Sequence, residues 1–168
     1  MSAGGGLPAG LKEYRGTDCL APRFRVAVEH AIQECHARGY DVTIWETCRS
    51  QALQEFYYQR GRPPTPEFPR PVTYVRNAMK GWHFYGLAVD VVSRSHGWFN
   101  QNPAEGQRWF LAVAEIFIAH GCDWGGSWVK RDLPHLQWGL CKQSPSQVSI
   151  DAFTRGGKAE VWRLVKAA

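Results

Sequence analysis

The sequence predicts an α+β domain, with amphipathic helices packed against a small sheet, and three observations carry that reading. Apolar residues recur at helical spacing in long segments that start near Pro22, Ser50 and Asn102. Short runs rich in β-branched and aromatic residues, Val42 to Trp45, Leu87 to Val92 and Leu136 to Trp138, fall between and after those segments. With 168 residues and 44% hydrophobic content, the chain can bury one sizeable core, and no internal repeat or linker divides it. Residues 1–168 are therefore read as a single domain, with residues 1–16 a loosely ordered lead-in.

The elements follow from local signals. Pro22 opens a helix with Phe24, Ala27, Val28, Ala31, Ile32 and Cys35 on one face, and Gly39 closes it. His30 and His36 lie off that face and read as exposed and without function. Asp41 to Cys48 has the composition of a strand. Ser50 then caps a helix that runs to Arg60, with Leu53, Phe56 and Tyr57 inward and Gly61 as its stop. Arg49 thus falls at a strand-to-helix junction, a common place for an anion-holding residue. Residues 62–71 hold five prolines and form a stiff loop, read as a rim that leads into Val72-Thr73 and the stretch after it. Asn102-Pro103-Ala104-Glu105 reads as the start of a helix whose buried stripe is Trp109, Phe110, Val113, Ile116 and Phe117, ending at His120-Gly121. Trp124-Gly125-Gly126-Ser127-Trp128 is a glycine-rich turn without a phosphate-loop signature, and a short amphipathic helix ends the chain.

Charge and cysteine content narrow the classes. The net charge of +5 is spread out, with no basic run longer than two, so a nucleic-acid surface is not expected and an anionic polymer such as a cell wall fits as well. Five cysteines without CxxC spacing match neither a disulfide framework nor a cysteine-rich metal site, so reduced, mostly buried thiols are expected. Met1 to Tyr14 lacks the apolar segment of a Sec signal peptide, and no apolar run reaches membrane-spanning length.

Two stretches carry chemistry. In Lys80 to Asp90, His83 precedes Gly86 at the mouth of an apolar, strand-like run, and Asp90 lies inside that run. A carboxylate in such a setting costs several kcal/mol unless it is paired, hydrogen-bonded or on a metal. Asp132-Leu133-Pro134-His135 repeats the theme ahead of a second apolar run. A zinc hydrolase needs three protein ligands, an open water position and a general base. His83, Asp90 and His135 supply the ligands, and Asp132 supplies the base.

With these residues in view, the stretch from about Cys48 to Trp138 resembles the VanY-like zinc D-alanyl-D-alanine carboxypeptidases and the L-alanyl-D-glutamate endopeptidases of phage endolysins. The matching pieces are Arg49-Ser50 with Gln54, Tyr58 to Arg62, Val72-Thr73, His83 with Gly86, Ala88 and Asp90, the Trp-Gly-Gly-x-Trp turn, and Asp132-x-Pro-His135-x-Gln137. The family usually has serine two residues before the first zinc histidine, where this chain has Gly81. The resemblance implies a DD-peptidase or hedgehog-like fold, with a small antiparallel sheet carrying the zinc site. It also implies Zn2+ as cofactor on His83, Asp90 and His135, Asp132 as catalytic base, and Arg49 as the residue that holds or polarises the substrate. The function expected is that of a zinc-dependent peptidoglycan peptidase, of phage or prophage endolysin type, acting on stem peptides as a monomer without nucleic acid or membrane insertion. Such a protein is made in the host cytoplasm and reaches the wall through a membrane pore made by another protein. A bacterial D-alanyl-D-alanine carboxypeptidase is the alternative enzyme. A non-catalytic wall-binding or phage structural domain is the alternative of another class, against which the retained Asp132 argues.

Overall fold

The structure, a computed structural model, describes residues 7–168. Four helices, α1 (Pro22–Ala37), α2 (Gln51–Gln59), α3 (Pro103–Ala119) and α4 (Gln147–Leu164), surround one sheet. Its strands are β1 (Val42–Glu46), β2 (Ala88–Ser93), β3 (Cys122–Trp124) and β4 (His135–Trp138). The sheet order is β1-β2-β4-β3 and every neighbouring pair is antiparallel. The expected α+β architecture is the one observed.

The capping signals do what their chemistry dictates. The Ser50 hydroxyl accepts from Leu53 N at 3.1 Å and starts α2. Asn102 and Glu105 cap α3 reciprocally: Asn102 Oδ1 accepts from Glu105 N at 3.2 Å, and Glu105 Oε2 accepts from Asn102 Nδ2 at 2.8 Å. At the other end of α3, His120 pairs with Glu34 of α1 at 2.6 Å.

The core lies between the sheet and the helices α1 and α3. Phe24, Val28 and Ala31 of α1 and Val113 and Phe117 of α3 are buried with Val89, Val91 and Leu136 of the sheet. Each such fully buried large side chain contributes about 1.5–3 kcal/mol. Strand alternation then sends Asp90 and His135, the neighbours of Val89 and Leu136, to the opposite face. Three tryptophans fasten the C-terminal part of the chain around this sheet. Trp82 Nε1 donates to Lys142 O, Trp138 Nε1 to Val165 O and Trp162 Nε1 to Tyr85 O, at 2.7 to 2.8 Å.

Several features differ from the sequence reading. Cys19 and Cys48 form a disulfide with Cα atoms 6.3 Å apart, so five reduced thiols is wrong for this pair, and only Cys35, Cys122 and Cys141 are free and buried. Their separation of 29 residues carries no motif. They meet because the segment before α1 runs along the end of β1, where Thr47 N donates to Tyr14 O at 2.7 Å. The end of the lead-in is thus tied down, while residues 1–6 of it lie outside the described residues. His83 precedes the strand, as expected, but sits in a short 3₁₀ turn, Trp82–Tyr85, that was not read, and β2 begins at Ala88. Gly86, at φ 69°, ends that turn in a left-handed conformation, and a Cβ there would meet Cys19 O at 2.4 Å. The last helix is longer than expected, because it resumes after non-helical backbone at Gly156 and Gly157. The strand β3, three residues long, was not read at all. Among the described residues, no helix is long and apolar enough to cross a membrane.

Candidate metal centre

The site is a row of side chains laid across the sheet. In the strand register, Asp90 of β2 stands opposite His135 of β4 on one side and Glu46 of β1 on the other. Directly opposed residues on one face of a sheet lie about 4.5–5.5 Å apart at Cβ, which is ligand-pair distance. Glu46 reaches this row because of an irregularity in the ladder between Ile44 and Glu46, where one extra residue, Trp45, is accommodated. In an unbroken ladder Trp45 would face Asp90, so the bulge exchanges an indole for a carboxylate.

His83 joins the row from the 3₁₀ turn. His83 Nε2 and His135 Nδ1 each lie 3.3 Å from Asp90 Oδ1, and the candidate ligand atoms of the three residues fall within 4.8 Å of one another. Both imidazoles are buried. Their outer nitrogens fix their tautomers. His83 Nδ1 sits 2.6 Å from Thr47 O, a carbonyl that can only accept, so this nitrogen carries the proton. His135 Nε2 sits 3.2 Å from Gln137 Oε1, and the Gln137 amide nitrogen donates to Lys142 O at 2.9 Å, which fixes the oxygen as acceptor. With both outer nitrogens donating, His83 Nε2, His135 Nδ1 and Asp90 Oδ1 present three lone pairs to one point. Asp90 Oδ1 is buried and without a hydrogen-bond partner. A divalent cation is what such a donor set accommodates, and two imidazoles plus one carboxylate match a zinc-type site with a position left open.

Arg49 stands behind Asp90. Its Nε donates to Glu46 Oε2 at 2.9 Å, NH2 also reaches Glu46, NH1 donates to Gln54 Oε1 at 3.1 Å, and NH2 approaches Asp90 Oδ2 at 3.6 Å. Glu46, almost fully buried, is the partner that the sequence reading missed. A glutamate closing an apolar strand three residues before an arginine was the signal for it. Burial works against the Arg49 charge, and Glu46 outweighs it and raises the pKa. Burial alone would likewise raise Asp90, but the imidazoles of His83 and His135 hold it well below the usual carboxylate range.

Asp132 lies on the rim, close enough to Asp90, His135, His83 and Arg49 for its ionisation to respond to all of them. The residue as a whole is exposed, yet protein crowds its carboxyl, and this desolvation, followed by the charge of Asp90, raises its pKa. The Trp-Gly-Gly-x-Trp turn holds it in place. Asp132 N donates to Gly125 O at 3.0 Å, and Trp124 Nε1 donates to Leu133 O at 2.7 Å. A Cβ on Gly125 would meet Asp132 O at 2.7 Å and His135 Cβ at 3.2 Å. Gly125→Ala is therefore expected to displace the Asp132 loop, lowering the rate of any reaction that uses Asp132 by on the order of tenfold or more through misplacement of about an ångström, with circular dichroism unchanged. Trp128 packs on His135 with ring centroids 5.1 Å apart, whereas Tyr85 and Trp138 belong to the core. At Gly81, extended backbone and a nearest neighbour 3.6 Å from an added Cβ leave room for the serine usual in the family.

The electrostatics give a pH-dependent outcome. In the metal-free chain burial works to lower His135, and the Asp90 carboxylate 3.3 Å away outweighs this and raises it above 6.5. The resulting stabilisation is fully present below the unfolded pKa and is lost as pH rises through the folded one. A divalent metal takes the place of that proton. Metal titration near pH 7 should thus release up to about one proton from His135 per metal, and less as pH rises. Calorimetry in two buffers of different ionisation enthalpy measures this directly.

Comparison with known proteins finds similarity in the same direction as the motifs. Residues 76–138 match the family described as D-alanyl-D-alanine carboxypeptidase. The chain is 36% identical over 110 residues to the peptidoglycan L-alanyl-D-glutamate endopeptidase CwlK of Bacillus subtilis (strain 168), covering 60% of this chain and 62% of that protein. It therefore spans less than two thirds of that relative. Among solved structures, the Serratia marcescens L-Ala D-Glu endopeptidase ChiX superposes with a TM-score of 0.52 at 20% identity, over 77% of this chain and 93% of that one. The vancomycin-resistance D,D-pentapeptidase VanY, solved in complex with Zn(II), gives 0.51 at 13% identity, over 92% of both chains. At these identities the two structures speak for the fold alone.

Proposed function

We propose that this chain is a zinc-dependent peptidoglycan peptidase that acts as a single domain and a monomer and cuts the L-alanyl-D-glutamate bond of the stem peptide. The observation that carries the reading is the convergence of three lone pairs from His83, Asp90 and His135, with both histidines locked in the tautomers a metal requires. The choice of bond rests on the 36% identity to a relative whose name gives that bond. Use as a phage or prophage endolysin fits two further features. The net charge of +5 favours approach to an anionic wall, and the Cys19–Cys48 disulfide suits work outside a reducing cytoplasm.

Zinc, when bound, supplies a Lewis acid and lowers the pKa of water to about 7. Asp132 accepts the proton of the attacking water and later hands it to the leaving amine nitrogen. Its raised pKa in the metal-free chain stems partly from the charge of Asp90, which a cation on Asp90 offsets. Arg49 keeps a positive charge beside the site, and this charge steadies the oxygen that becomes negative on attack. Thr47 and Gln137 hold the imidazoles so that neither ring reorients during turnover.

Digestion of purified peptidoglycan, read by mass spectrometry, tests the bond assignment. The expected products are peptides with N-terminal D-glutamate and glycan strands ending in lactyl-L-alanine. The second reading, a D-alanyl-D-alanine carboxypeptidase, is favoured by the family description that residues 76–138 match. Release of free D-alanine without separation of glycan and peptide would establish it instead.

A further inference from the structure

A cleft of about 330 Å³ shares Arg49 with the surroundings of the metal centre, and Lys12, Cys19, Cys48, Phe84 and Lys158 also contribute to its wall. It is joined to the centre through the backbone: Arg49 N donates to His83 O at 3.2 Å, and Phe84 follows His83 in the chain. Three of its lining residues are cations and none is acidic. The charge of Arg49 is met by Glu46 and Asp90. The two lysines have no such counterpart, and neither ammonium makes an ion pair or hydrogen bond among the described residues.

Lys158 is the more telling of the two. It is the first residue after the break at Gly156 and Gly157, on a helix that is otherwise amphipathic. It is partly buried, and desolvation lowers its pKa, so its charge is held at a cost that no protein group repays. The same wall has an apolar part: the Cys19–Cys48 disulfide, and Phe84, whose ring packs edge-on against Phe153 at 5.0 Å. An apolar wall beside unmatched ammonium groups suits a short aliphatic segment that ends in a carboxylate.

We infer that this cleft is a carboxylate-binding subsite, in which Lys158, assisted by Lys12, holds a carboxylate of the peptide substrate while the bond to be cut lies at the neighbouring metal centre. The inference rests on the peptidase reading above, since the stem peptide is the source of the carboxylate. It adds the C-terminal helix to the parts of the fold that choose the substrate, outside the stretch from Cys48 to Trp138 that carries the family motifs.

Two soluble stem-peptide fragments that differ only in carrying free carboxylates or primary amides provide the test, with the full-length zinc-loaded protein. Lys158→Met is expected to raise KM for the acidic fragment about tenfold with kcat unchanged, the size of one lost charge-assisted hydrogen bond. The amidated fragment should show no such dependence, and Lys158→Arg should restore the wild-type KM. Equal weakening of both fragments, or no change in either, overturns the subsite. Binding of the same fragments, followed by tryptophan fluorescence, separates the two proposals. Binding of the acidic fragment that depends on Lys158, without any hydrolysis, would refute the peptidase reading alone. Hydrolysis indifferent to Lys158 would refute the subsite alone.

Discussion

Zinc content is expected to fall from close to one per chain to a small fraction of that in His83→Ala and in His135→Ala. Each change removes one of only three protein donors. In the His83 variant, Thr47 O also loses the ring nitrogen that donates to it. The loss in affinity should exceed the roughly 10–100-fold that removal of an outer partner costs. Gln137→Leu supplies that comparison, because it takes away the acceptor of His135 Nε2 and leaves all three ligands. Metal analysis after gel filtration, with circular dichroism to show that the fold persists, measures the series. Full zinc retention in both histidine variants would remove them from the metal centre.

Asp132→Asn is expected to keep fold and zinc and to lose hydrolysis by about 10²–10⁴-fold, the usual worth of a positioned general base. The amide has nearly the shape of the carboxyl and leaves the backbone bond from Asp132 N to Gly125 O in place, so geometry is preserved while the proton acceptor is gone. The loss should appear in kcat and not in KM, since proton transfer belongs to the transition state. Release of metal from this variant would make Asp132 a ligand and reopen the assignment of Asp90. Near-wild-type turnover would take Asp132 out of the mechanism.

Much of the architecture was legible because local chemistry and tertiary context agree in it. Pro22, Ser50 and Asn102 mark helix starts by rules of backbone hydrogen bonding that hold whatever the helix later packs against. Asp90 was conspicuous because an ionisable group in an apolar strand demands a reason. What was hidden depends on distance in space rather than in sequence. The pairing of Cys19 with Cys48 and the hydrogen bond from His83 to the carbonyl of Thr47 are set by the fold. A backbone carbonyl leaves no mark on residue type at all. The bulge that brings Glu46 beside Asp90 was illegible for a related reason: a strand with one extra residue has the same composition as a strand without it. The 3₁₀ turn at His83 went unread because four residues are too few for a period to show.

The order of strands in the sheet has a kinetic and thermodynamic consequence. The central pair β2 and β4 is separated in the chain by the whole of α3 and β3, and Thr47 lies 36 positions before the histidine that it orients. None of these contacts can form until the chain has closed long loops, so the ligand set exists only where this non-local strand pairing is in place. An unfolded chain offers no preformed site and the metal binds essentially the native state alone. Zinc at a thousand times its dissociation constant then shifts the folding equilibrium by about 4.1 kcal/mol, a large share of what holds a domain of this size together. The cation that fits the site is by the same mass action a determinant of the fraction of molecules that stay folded.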